Sequence, residues 1–161
     1  MTKALKSYFE LYAESHSNPQ NKLLHLICVP PILYSIVALV ASVPMPASLQ
    51  ISPFVNLASV LAALVLGFYL RHSVKYFAIM FVAILASFAL WWAMKSAFPE
   101  SHVYINLAIF IVAWIGQFIG HKLEGKRPSF FHDLFFLLIG PLWVIRWCEE
   151  KLTNPSKTSK V

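Results

Sequence analysis

Apolar residues gather into four long runs, at about 23–43, 53–70, 74–94 and 103–120, with short polar breaks between them. Each run approaches the ~20 residues that a helix needs to cross ~30 Å of hydrocarbon, so the pattern predicts four transmembrane helices. Pro30-Pro31 should kink the first, since proline lacks the N–H that the preceding turn would receive. A fifth apolar run, 130–148, carries His132 and Asp133 near its start and Gly140-Pro141 in its middle. Ahead of all five, residues 3–15 set Leu5, Tyr8, Phe9 and Tyr12 at the i, i+3, i+4, i+7 spacing of one apolar helix face. Such an amphipathic helix either rests in the headgroup layer or packs on its own protein.

The basic residues give the runs an orientation. Of the thirteen Lys and Arg, only Lys95 lies between the third and fourth runs. The others flank the N-terminal segment, the 71–75 and 121–129 loops, and the tail. The positive-inside rule then puts both termini and those loops in the cytosol. If the fifth run crossed fully, the basic tail would lie outside, so 130–148 is expected to be a re-entrant or interfacial hairpin broken at Gly140-Pro141. A full fifth crossing is the alternative. The expected architecture is an all-α, multi-pass membrane bundle with one embedded catalytic domain, 1–150, and a basic polar tail, 151–161. Its home would be the inner membrane of a bacterium or the endoplasmic reticulum of a eukaryote.

Composition agrees with this. The 161 residues are 58% hydrophobic and 12% charged, with a mean hydropathy of +0.66. Soluble chains average about 25% charged, and a soluble fold of this size has too little interior for so much apolar surface. The net charge of +6 is distributed around apolar runs, which suits anionic headgroups and not a nucleic-acid stripe. Cys28 and Cys148 lack CxxC spacing and argue for neither metal nor redox chemistry. Polar residues including Glu10 and Glu14 precede the first run, unlike a signal peptide.

Ionisable groups at membrane depth are expensive, so the histidines need reasons. One constellation is His16-x-Asn18-Pro19-x-Asn21-x3-His25, where Asn-Pro bends the chain before His25 enters the first membrane helix. The other is Gln117-x3-His121-x2-Glu124, whose offsets place all three on one helix face. Both fall at the cytosolic end. Imidazoles with a carboxylate and open positions suit a first-row metal, non-haem iron among them. The plainer reading is a helix cap, with Lys126 and Arg127 on the last carbonyls and Glu124 paired to a base. His72 is expected to be an interfacial residue and His102 to lie on the far face. His132, beside the cap-like Asp133, is a further candidate ligand.

Two strings resemble a known family. They are Tyr12-x3-His16-x-Asn18-Pro19-x-Asn21-x3-His25 followed by Val29-Pro30, and Trp114-Ile115-Gly116-Gln117-Phe118-Ile119-Gly120-His121-x2-Glu124-x3-Pro128 followed by Gly140-Pro141. In content, order and separation they are similar to the signatures of the 2-hydroxy fatty acid dioxygenases, membrane proteins once grouped only as a domain of unknown function. The resemblance implies an Fe(II)-dependent oxidoreductase of fatty acid alpha-oxidation, which shortens a long-chain 2-hydroxy acid by one carbon with O2. It implies iron at His16, His25 and His121, with Gln117, Glu124, Asn18 and Asn21 as ligands or their supporting partners. His132 stands where other members carry a carboxylate. Lys22, Lys126 and Arg127 are basic groups suited to the substrate carboxylate. The alternatives are a non-catalytic small transporter or assembly protein, and a di-iron hydroxylase or desaturase. The second lacks support, because the chain has no adjacent histidine pair.

Overall fold

The computed structural model of the chain describes residues 2–14, 16–46, 52, 55–125 and 130–153. These form six helices and no strand: α1 (Lys3–Glu14), α2 (Pro19–Ala41), α3 (Leu57–His72), α4 (Val74–Ala97), α5 (His102–Glu124) and α6 (Phe130–Thr153). Three of them, α2, α4 and α5, are long and apolar enough to cross a membrane. Large apolar side chains such as Leu64, Val82 and Val112 point outward, as expected where lipid replaces water as the solvent. The chain is thus an all-helical membrane protein.

Two helices depart from expectation. In the second run α3 begins at Leu57, where Asn56 caps it through a reciprocal bond pair with Ser59. The resulting 16 residues rise about 24 Å, short of the ~30 Å core. The fifth run is one continuous helix, not a hairpin, and α6 passes straight through Gly140-Pro141. A proline removes one backbone bond and bends a helix, but reversal needs a turn. Packing on α1 holds the segment instead: Ile139, Leu142, Trp143 and Val144 bury against Leu5, Phe9 and Tyr12. So α1 spends its apolar face on its own protein. The Tyr69 hydroxyl donates to the Leu138 carbonyl at 2.8 Å, and Lys75 pairs with Glu149 at 2.7 Å, tying α6 to the α3–α4 junction.

The strongest packing pairs α2 with α5, antiparallel. Asn21 lies against Gly120, Cys28 against Gly116, and Ile32 with Ala113. A Cβ on Gly120 would fall onto Asn21 Oδ1, and one on Gly116 onto Cys28 Sγ. Small residues four apart let helix backbones approach closely in lipid, and this approach brings the two histidine-bearing segments face to face.

A candidate metal centre between α1, α2 and α5

The start of α2 is set by Asn18, whose side-chain oxygen accepts from the backbone N–H groups of Gln20 and Asn21. Pro19 occupies the first helical turn, where its missing N–H costs nothing. One turn in, His25 points at His16, which closes the segment after α1. Their Nε2 atoms are 2.9 Å apart. His121, from the last turn of α5, stacks edge-on to both, with ring centroids 5.3 Å from His16 and 5.2 Å from His25. The ligand nitrogens of all three lie within 4.8 Å of one another. His16 and His25 are each 2% exposed, so both rings are buried.

The hydrogen bonds decide the tautomers. His16 Nδ1 meets the Tyr12 carbonyl at 2.6 Å, and His25 Nδ1 meets the Asn21 carbonyl at 3.0 Å. A carbonyl oxygen only accepts, so both Nδ1 atoms carry the hydrogen and both Nε2 atoms present lone pairs. Burial holds the His16 imidazole down, to about 4, so near neutral pH it has no second proton to offer. Two facing lone pairs at hydrogen-bond distance repel unless a cation lies between them. Two nitrogens bound to one ion at ~2.1 Å and a right angle would sit ~3.0 Å apart, close to the separation here. The donor set, three imidazoles with a ligand nitrogen of each gathered within 4.8 Å, fits a divalent first-row metal.

Around the imidazoles is a clamp. Glu124 Oε1 accepts from the Ser17 N–H at 2.7 Å and from its hydroxyl; Oε2 accepts from the Asn18 N–H at 3.0 Å and from Asn21 Nδ2 at 2.9 Å. Asn18 Nδ2 also donates to the Leu123 carbonyl at 3.2 Å. The carboxylate therefore faces the linker, and no base pairs with it among the described residues. Asn18, Asn21 and Glu124 lock the segment bearing His16 to the end of α5. Gln117 stands one turn deeper than His121 on the same face, 5% exposed, and its Nε2 has no hydrogen-bond partner among the described residues. Gln117 and all three histidines open onto one cavity of about 180 Å³, many times the ~10–15 Å³ that a water needs.

Other predicted residues lie elsewhere. His72 bonds to the Thr2 hydroxyl at 2.7 Å, and His102 to the Pro99 carbonyl at 2.9 Å at the opposite end. Lys22 is on α2 beside Asn21 but does not line the cavity. Lys126 and Arg127 fall outside the described residues, as does the side chain of His132 on α6. Sequence reasoning missed two aromatic walls. Tyr12 stacks flat on His16 at 4.0 Å, and Trp143 lies 5.5 Å from it. Tyr12 was legible in its spacing of four from His16; Trp143 carried no local signal.

The comparisons agree with the resemblance. A family model described as Mpo1-like, 2-hydroxy-palmitic acid dioxygenase, matches residues 2–152. The chain belongs to the Mpo1-like family. A curated Mpo1-like relative, the 2-hydroxy-palmitic acid dioxygenase MPO1 of Saccharomyces cerevisiae, is 29% identical over 147 residues. The match covers 88% of this chain and 77% of the yeast protein. No solved structure matches significantly. Both motif strings that carry His16, His25 and His121 lie within the span that the Mpo1-like model matches.

Proposed function

We propose that this Mpo1-like chain is a membrane-embedded, Fe(II)-dependent dioxygenase that shortens long-chain 2-hydroxy fatty acids by one carbon. The observation that carries the reading is the His16–His25 pair. Its two buried Nε2 atoms lie 2.9 Å apart beside a third imidazole, an arrangement that suits a shared cation. The yeast relative's activity, as its name states it, supplies the substrate class.

In this reading four helices, α2 to α5, cross the bilayer, the shorter α3 by local thinning of the lipid around it, while α6 lies along the cytosolic end with both termini on that side. Lys22, Lys126 and Arg127 gather the substrate carboxylate at the headgroup level. His16, His25 and His121 hold the iron, and the clamp of Ser17, Asn18, Asn21 and Glu124 keeps His16 in register with the other two. Iron held there supplies the one-electron chemistry that O2 needs to react with a closed-shell acid. Gln117 Nε2 donates to a substrate oxygen and so orients the head group, which gives its unpaired amide a partner. Tyr12 and Trp143 exclude water. The alkyl chain extends into the apolar part of the cavity.

The balance closes without a reductant. A 2-hydroxy acid plus one O2 gives the acid one carbon shorter, CO2 and water, and the four electrons lost by the substrate reduce that O2 to water level. A hydroxylase or desaturase would need two further electrons from outside. Protein purified in mild detergent and loaded with Fe(II) should consume one O2 per 2-hydroxy acid without a reductase, and leave the unsubstituted acid untouched. Metal analysis should find iron with His16, His25 and His121 intact. Absence of any transition metal from a metal-retaining preparation, or equal turnover of both acids, overturns the reading.

A further inference from the structure

We propose that the apolar channel leading away from the three histidines is a chain-length gauge, its bore limited by two small residues of α3, Ala58 and Ala62. The inference rests on the reading of this site as one for 2-hydroxy fatty acids, and names the part that selects among them. On α2 the channel is one stripe: His25, Val29, Ile32, Ile36 and Val40 recur at three- and four-residue spacing, and all line the cavity. From His25 to Val40 the helix rises about 22 Å at ~1.5 Å per residue. An extended chain covers about 1.2 Å per bond, judged from the ~3.6 Å that three backbone bonds span, so the stripe accommodates about eighteen bonds.

Across from α2, α3 runs in the opposite sense. Tyr69 packs near the histidine end in the cluster that includes Val29 and Leu33, and Ala58 lies at the far end. Ala58 is buried in a cluster with Tyr34, Ala38, Ala41 and Trp91, against which Val40 packs, and of these Ala58 and Val40 line the far end of the cavity. Ala62 lines the same channel one turn closer to the histidines, a step of about 6 Å or five bonds. A methyl group at each position leaves the bore open; a large side chain at either would fill it at that depth.

The test uses the Fe(II)-loaded protein in detergent and a series of 2-hydroxy acids of rising length, with two readouts: thermal stabilisation on binding, and O2 uptake. In the unaltered protein affinity should rise roughly fourfold per methylene, up to a break at about eighteen carbons. Ala62→Phe should move the break about five carbons shorter, and Ala58→Phe should move it by less, with iron content unchanged in both. Val40→Ala opens the far wall and should move the break to longer chains, a gain that misfolding cannot imitate. An unchanged break in Val40→Ala, or in an Ala62→Phe protein that still binds iron and short acids, overturns the gauge. Binding of 2-hydroxy acids without any turnover overturns instead the enzymatic reading, and the binding profile still reports on the channel.

Discussion

Replacing Glu124 with alanine should weaken metal binding by about thirtyfold without abolishing it. The magnitude follows from what the carboxylate holds. It accepts from the Ser17 N–H and hydroxyl, from the Asn18 N–H and from Asn21 Nδ2. A hydrogen bond to a charged acceptor is worth roughly 1.5–3 kcal/mol, but this carboxylate is only half-buried, so the donors of Ser17 and Asn18 regain water when it is removed. Asn21 does not, because its side chain is fully buried. The retained loss is therefore close to one such bond, about 2 kcal/mol or a factor of ~30 in affinity. That falls within the ~10–100-fold cost of losing a partner that orients a ligand. Competitive titration of the detergent-purified protein against a chelator measures it directly, with His121→Ala as the reference for loss of a ligand. Glu124→Gln should fare little better than alanine, because its NH2 turns a donor toward donors. Metal loss in Glu124→Ala as complete as in His121→Ala would make the carboxylate a ligand and refute the clamp. Unchanged affinity would refute it from the other side.

Four further outcomes follow. Gly120→Ala drives a methyl group onto Asn21 Oδ1, whose amide is pinned by Glu124, so it should cost about 1–3 kcal/mol in thermal or denaturant unfolding and lower iron occupancy. Gly67→Ala, with open space around it, should be neutral or stabilising in the same assay. Gln117→Leu removes an unpaired buried amide, so it should melt no lower than the parent while binding 2-hydroxy acids ~10-fold or more weakly by equilibrium titration; a matched drop in stability would mark Gln117 as structural. Cysteines introduced at Ser101 and Ser156, in a protein with Cys28 and Cys148 replaced, should label from opposite sides of the membrane. Same-side labelling would refute the four-span arrangement.

What a linear pattern can determine is whatever is local and additive. Hydropathy sums along a run, so the membrane helices were legible, and α2, α4 and α5 form where the long apolar stretches predict them. Turn chemistry is local too: Asn18-Pro19 marked the entry of α2, and offsets of three and four put Gln117, His121 and Glu124 on one face. The two strings carrying His16, His25 and His121 therefore pointed to a shared site before any coordinate was known. Tertiary structure decided what those residues meet. Glu124 reads equally as a ligand, an ion-pair partner or a cap until Ser17, 107 residues away, is seen donating to it. The continuity of α6 through Pro141 depends on burial against α1, which no window around Gly140-Pro141 contains. Gly116 and Gly120 look like weak points in a helix until α2 lies against them. The tautomers of His16 and His25 are set by carbonyls four residues earlier in the chain, but the opposition of their Nε2 atoms exists only because the fold brings the two rings together. A one-dimensional pattern records which groups are costly to bury; only packing determines what that burial brings together, and here it gathers three imidazoles at one point.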